Sequence, residues 1–160
     1  MKRRLLAVLA AVALTFGLAM AATHHAQAAA TAATAATGAI TGYEGLCLDD
    51  RGASTAELNP IEVYICNGTN AQQWTVGSGN TLQVLGMCLD VAGAGTANGT
   101  LVDLYPCNGT GAQSWVHQSN GELVNTSSGK CLDDTGYGGS GTQVQLWTCA
   151  GTANQQWNLP

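Results

Sequence analysis

An all-β fold of three similar units arranged about a pseudo-threefold axis is what this chain predicts, and three observations predict it. A Cys-Leu-Asp triplet starts at Cys47, Cys88 and Cys131, and a Gln-x-Trp triplet ends at Trp74, Trp115 and Trp157. The first cysteines lie 41 and then 43 residues apart, the tryptophans 41 and then 42. Short alternating segments such as Thr81 to Leu85 and Glu122 to Val124 stand between Asn-Gly pairs at Asn67, Asn98, Asn108 and Asn120, the pattern of strands joined by tight turns. No stretch sustains a helical period, and the abundant Gly, Thr and Asn are poor helix formers. Units of about 42 residues are too small to bury a core singly, so three must share one. About four short strands per unit, closed by symmetry, define a β-trefoil, since three blades are too few for a propeller.

Taken in order, Met1 to Ala28 is expected to be a signal peptide. Lys2, Arg3 and Arg4 precede an uncharged apolar run from Leu5 to Met20, and Ala26-Gln27-Ala28 is a small-residue cleavage site. The run is short for a membrane span. Residues 29–37, rich in Ala and Thr, have little to bury and are expected to form a flexible lead-in. Residues 38–160 form the domain, with repeats of about 38–79, 80–120 and 121–160.

Matched apolar positions supply the shared core: Leu48, Leu89 and Leu132; Ile61, Val102 and Val144; Val63, Leu104 and Leu146. Trp74, Trp115 and Trp157 are expected as core posts that close each repeat. Six cysteines allow 15 pairings, and the repeat symmetry selects Cys47–Cys66, Cys88–Cys107 and Cys131–Cys149. Disulfides in turn fit an exported, extracellular protein.

After Ala28 the only basic residues are Arg51 and Lys130, against ten acidic ones, a formal charge of −8. Clustered Lys and Arg are needed to neutralise phosphates, so nucleic acid and anionic membranes are excluded as partners. No C-x-x-C occurs and His117 is the only histidine after the signal segment, so no metal or other cofactor is expected. Asp133 and Asp134 lack the spaced oxygen ligands of a calcium loop. An enzyme is not expected either. G-x-S-x-G and H-E-x-x-H are both missing, and the Asp49-Asp50 and Asp133-Asp134 neighbours point to opposite sides of an extended chain, a poor glycosidase dyad.

The third repeat carries the fullest set of polar and aromatic groups. In a strand through Val144 to Trp147, the period of two puts Val144 and Leu146 on one face and Gln145 and Trp147 on the other. An indole beside amides and a carboxylate suits a sugar ring, whose apolar C–H face lies on the indole while its hydroxyls meet the polar groups.

The three Gln-x-Trp signatures, in register with three Cys-Leu-Asp triplets and three cysteine pairs, resemble the ricin B-type lectins, also called carbohydrate-binding module family 13. The resemblance spans about Gly38 to Pro160 and implies a β-trefoil with one shallow sugar pocket per repeat. Carried over residue by residue, it implies a complete third-repeat pocket of Asp133, Gln145, Trp147, Asn154 and Gln155. The first repeat keeps Asp49, Tyr64 and Gln72 but has Glu62 for the first amide and Ala71 for the asparagine. The second keeps Asp90, Tyr105 and Gln113 but has Asp103 and Ala112. A carboxylate only accepts hydrogen bonds and alanine makes none, so these two pockets are expected to be weaker.

The resulting expectation is a secreted, monomeric, non-catalytic lectin for galactose-type sugars or xylan, acting alone or beside separately secreted glycosidases. The alternative is a secreted trefoil that has lost sugar binding and serves as a protein-interaction or inhibitor domain, or as an accessory to polysaccharide degradation.

Overall fold

A computed structural model describes residues 35–160. The expected signal peptide and most of the lead-in lie outside them. Eleven strands follow the repeat plan. The first repeat holds β1 (Thr37–Gly38), β2 (Cys47–Asp50), β3 (Asn59–Tyr64) and β4 (Trp74–Val76). The second holds β5 (Leu82–Val84), β6 (Met87–Val91), β7 (Val102–Tyr105) and β8 (Trp115–His117), and the third β9 (Leu123–Asn125), β10 (Cys131–Asp134) and β11 (Thr142–Trp147). A twelfth strand is reduced to single bridges, Gln156 to Glu122 and Asn158 to Thr41, the second of which ties the last repeat to the first. Order also begins earlier than the sequence suggests. The Ala36 carbonyl accepts from the Val76 N–H at 3.0 Å and Thr37 pairs with Thr75, so these two residues belong to the domain rather than to the lead-in.

Within each repeat the second and third strands pair antiparallel in one register. Asp49 stands opposite Glu62, Asp90 opposite Asp103, and Asp133 opposite Gln145. The third strands then meet one another: Asn59 pairs with Leu104 and Thr142 with Val63, and a single bridge joins Leu101 to Gln145. This ring of β3, β7 and β11 closes the barrel and leaves its strands without a free edge on that side. All nine matched aliphatic positions, Leu48, Ile61, Val63 and their counterparts, are fully buried inside it.

The three tryptophans of the Gln-x-Trp triplets are buried and share one hydrogen bond. Each indole Nε1 donates to the carbonyl of the leucine in its own repeat's Cys-Leu-Asp triplet: Trp74 to Leu48 at 2.8 Å, Trp115 to Leu89 at 3.1 Å and Trp157 to Leu132 at 3.0 Å. A buried indole N–H must find an acceptor, and here it finds the backbone next to the aspartate. Packing around Trp157 is close enough that a Cβ on Gly42 would stand 2.7 Å from the indole, which excludes any larger residue there without a shift. The disulfides are Cys47–Cys66, Cys88–Cys107 and Cys131–Cys149, each tying the start of its repeat's second strand to the segment just after the third. In the chain-entropy description each is worth about 3 kcal/mol. No helix among the described residues is long and apolar enough to cross a membrane.

Replacing Trp157 by Phe keeps an aromatic ring but strands the Leu132 carbonyl in the interior. The expected cost is about 1–3 kcal/mol, read as a lower urea midpoint with an unchanged β-sheet spectrum. An unchanged midpoint would show that this hydrogen bond does not hold the repeat together.

Candidate functional site

Each repeat forms a surface concavity over its second and third strands. The deepest set of groups is in the third, a cavity of about 510 Å³ lined by Asp133, Gln145, Trp147, Asn154, Gln155 and the loop after β10. Strand alternation sets two of these positions, since Val144 and Leu146 turn inward and leave Gln145 and Trp147 facing out. Trp147 is 44% exposed, so its indole is available to a ligand rather than spent in the core.

Asp133 is almost completely buried and accepts three amide donors. Gln145 Nε2 reaches Oδ1 at 3.1 Å, while Asn154 Nδ2 and Gln155 Nε2 both reach Oδ2 at 2.9 Å. A carboxylate has about four lone-pair sites, so about one remains, on Oδ1, for a ligand hydroxyl. Asn154 also donates to the Asp134 carbonyl at 3.0 Å, which leaves its buried Oδ1 with no partner in the protein. The exposed indole beside this amide-held carboxylate is the part of the cavity most open to a ligand.

The glutamines of the Gln-x-Trp triplets have a different job from the pocket donors the sequence pattern implies. Gln155 Nε2 is shared between Asp133 and the Thr148 carbonyl, and its Oε1 takes the Ala150 N–H at 2.8 Å. Gln72 bonds Asp49 and the Ile65 carbonyl, and accepts the Asn67 N–H at 2.9 Å. Gln113 bonds the Pro106 carbonyl and accepts the Asn108 N–H at 2.8 Å. All three are buried to about 1% exposure or less, and Gln72 and Gln113 lie off their pocket walls. They fix the loop after the second cysteine, and Gln72 and Gln155 also hold the aspartate. The side-chain donors of Gln72 and Gln155 are therefore not free for a ligand, and Gln113 is buried away from its pocket wall.

The first-repeat cavity, about 450 Å³, is lined by Asp49, Glu62, Tyr64, Asn67 and Asn70. Here Glu62 pairs with Arg51 Nε. The cation comes from the loop after β2 and occupies the carboxylate that stands where Gln145 does in the third repeat. Asp49 keeps one amide donor, Gln72 at 2.8 Å, and its pKa is raised, chiefly by burial and further by the charge of Glu62, against the Gln72 bond.

The second-repeat cavity, about 430 Å³, is lined by Asp90, Tyr105, Ala94, Leu58 and Glu57. Asp103 is not among its walls: it lies buried beside Asp90 with Oδ1 unpartnered. The second repeat has Ala92 where the first has Arg51, so no cation offsets this pair. Burial, and then the charge of Asp90, push the Asp103 carboxyl up to about 7. Burial also raises Asp90, opposed by the Gln113 amide. Asp103 thus lies beside this pocket's aspartate without lining the cavity itself.

Two wall residues escape a reading of matched motifs. Leu58, 61% exposed with a φ of 62°, reaches the second pocket from the first repeat. Tyr137, 48% exposed with a φ of 57°, lines the third pocket from the loop after β10. Neither position has a large apolar counterpart in the other repeats, where Tyr137 is matched by Ala53 and Ala94, so symmetry gives no signal for its ring. A large exposed side chain inside a Gly-rich loop is the one cue the sequence offers for Tyr137.

A β-trefoil with an aspartate, an amide and an aromatic converging in each repeat defines a lectin-type domain. The ricin-type β-trefoil lectin domain matches residues 36–157, and the chain belongs to that family. A designed threefold-symmetric protein, ThreeFoil, is similar in structure, with a TM-score of 0.71 and 32% identity over 76% of this chain and 95% of that one. A non-toxic homologue of type II ribosome-inactivating-type proteins (type II RIPs) from Momordica charantia, solved in complex with α-methyl-D-galactoside, matches with a TM-score of 0.71 and 29% identity. That match covers 79% of this chain and 48% of the other. Serine protease 1 of Rarobacter faecitabidus is 41% identical over 102 residues, 64% of this chain but 19% of the protease. The chain thus spans about a fifth of that relative's length.

The uncompensated Asp90–Asp103 pair makes stability depend on pH. A carboxyl that binds its proton more tightly folded than unfolded favours the folded state at low pH, and that advantage is lost as pH rises from about 3.8 to about 7. Asp134, raised to about 6 chiefly by burial, acts in the same direction. Asp103→Asn is expected to be more stable than wild type at pH 8, by on the order of 1–3 kcal/mol, with the difference vanishing near pH 4. Urea midpoints across that range check it, and a variant less stable than wild type at pH 8 would contradict the assignment.

Proposed function

We propose that this is a secreted, non-catalytic lectin whose third-repeat pocket is the main sugar site, with weaker sites in the first two repeats. The observation that carries the ranking is the hydrogen bonding of the three equivalent aspartates. Asp133 is held by three amides next to an exposed indole, whereas Asp49 shares its site with an Arg51–Glu62 pair and Asp90 with a second carboxyl. Preorganised groups bind more tightly because less order remains to be imposed on binding. The signal-like start of the chain and three disulfides support export.

Galactose-type sugars are the first choice of ligand, because the Momordica charantia homologue is described with α-methyl-D-galactoside and resembles this domain at 29% identity. Xylan is the second choice. The buried neighbours of the site aspartates support binding without catalysis. Asp50 and Asp134 are fully buried, Asp50 bonded to Asn59 and Asp134 to the Gly138 N–H, so neither faces the pocket beside Asp49 or Asp133 as a second carboxyl of a dyad. A single shallow pocket corresponds to affinities on the order of millimolar, and several pockets on one rigid body raise the avidity for a polymer.

Titration with α-methyl-D-galactoside and with xylan oligomers tests the ranking. Trp147→Ala is expected to weaken binding at least tenfold, a loss of about 1.4 kcal/mol, while Tyr64→Ala and Tyr105→Ala change it less than about twofold by the same measure. Equal losses in all three variants would remove the ranking, and release of shorter sugars from the oligomers would remove the non-catalytic reading.

A further inference from the structure

We propose that Tyr137 is a second stacking platform in the third pocket, seating the sugar unit next to the one held by Trp147 and Asp133, so that this pocket selects glycans of two or more units. This rests on the lectin reading above and goes beyond it by naming the size of ligand and a residue that sets it.

The case begins with a bend that all three repeats share. After the strand carrying the site aspartate, two successive residues take left-handed backbone: Gly52 and Ala53 at φ 72° and 52°, Gly93 and Ala94 at 59° and 51°, Gly136 and Tyr137 at 64° and 57°. Each pair lines its own repeat's cavity. The bend is thus a demand of the fold. Its second position suits glycine best, and a side chain there costs on the order of 1 kcal/mol. Two repeats meet the demand with alanine, the smallest side chain after glycine. The third places a phenol ring on the same strained backbone.

That ring gains little from the core. Tyr137 is about half exposed, so burial does not offset the strain. Its ring is nonetheless held in place: Tyr43 of the first repeat forms a T-shaped pair with it, with centroids 5.1 Å apart and planes at 81°. A T-shaped pair of this kind fixes ring orientation while leaving surface free. The third cavity therefore contains two half-exposed aromatics, Trp147 and Tyr137, where the other two contain one tyrosine each. It is also the largest of the three.

The polar groups divide unevenly between the two rings. Gln145, Asn154 and Gln155 all gather on the one carboxylate, Asp133, which marks a single place where ring hydroxyls are gripped. The other hydroxyl beside the bend, Thr135 Oγ1, is committed to the Gln143 carbonyl at 2.7 Å. Of the cavity's other hydroxyls, that of Thr152 belongs to the segment leading into Asn154 and Gln155, so Tyr137 contributes chiefly a flat aromatic face. Such a surface suits the C–H face of a neighbouring sugar in a chain better than a second fully gripped ring.

The test uses isothermal titration of the whole domain with two matched pairs of ligands, galactose with β-1,3-galactobiose and xylose with xylobiose. Wild type is expected to bind the disaccharide of one pair about five- to tenfold more tightly than its monosaccharide. Tyr137→Gly, whose backbone suits this bend and so preserves folding, is expected to bring that preference down to within twofold by weakening the disaccharide more than the monosaccharide; Tyr137→Phe is expected to keep it. A wild type with no preference for the longer sugar, or a Tyr137→Gly variant that retains the preference, overturns the proposal. Equal weakening of both sugars in Tyr137→Gly also overturns it, by placing the tyrosine on the first unit. A wild type that binds none of the four sugars overturns the lectin reading itself, and the platform with it.

Discussion

The indole-to-carbonyl bond made three times over is the interaction on which the molecule depends. Each of Trp74, Trp115 and Trp157 fills the interior under its repeat and hands its one N–H to the backbone carbonyl that immediately precedes the site aspartate. The same bond therefore closes the core and sets the position of the functional carboxylate. The glutamine two residues earlier completes the coupling, because its side chain fastens the loop that follows the second cysteine. A protein that must share one core among three small units has little redundancy, and these contacts serve packing and site construction together.

On this common skeleton the three pockets have diverged in charge. The residue opposite the site aspartate is an amide in the third repeat, a carboxylate neutralised by Arg51 in the first, and an uncompensated carboxyl in the second. The backbone register is the same in all three, so the differences arise from side chains alone. A donor opposite the aspartate organises it. A salt bridge occupies the space in which a ligand would compete, and in the second repeat burial and then the Asp90 charge raise the pKa of Asp103. One fold thus holds three chemically distinct concavities, of which the third has the most ordered polar groups and the most exposed aromatic surface.

Much of the fold was legible because its signals are repeated. A single Gln-x-Trp or Asn-Gly carries little information, but three copies in register specify the number of units, the shared core and the partner of each cysteine. Glycines of all four Asn-Gly pairs, Gly68, Gly99, Gly109 and Gly121, do take left-handed backbone in the connections between strands. The convergence of Asp133, Gln145, Trp147, Asn154 and Gln155 was legible through the family resemblance, with strand alternation putting Gln145 and Trp147 on one face. Less legible was what each polar group does once there. Gln72, Gln113 and Gln155 look the same in sequence as ligand-facing amides, and only their burial and bonded partners show them to be internal struts.

The sequence by itself determined the threefold plan, the all-β class and the disulfide pairing, because all of these follow from repeated patterns and their spacing. The tertiary structure decided which side chains are free. Arg51 reaches Glu62 across a loop, Asp103 sinks beside Asp90, Tyr43 from one repeat braces Tyr137 in another, and Ala36 and Thr37 join the sheet through β4. Each of these depends on a contact between segments whose distance in space no single-repeat pattern encodes. The symmetry that made the fold readable is silent at the positions where the repeats differ.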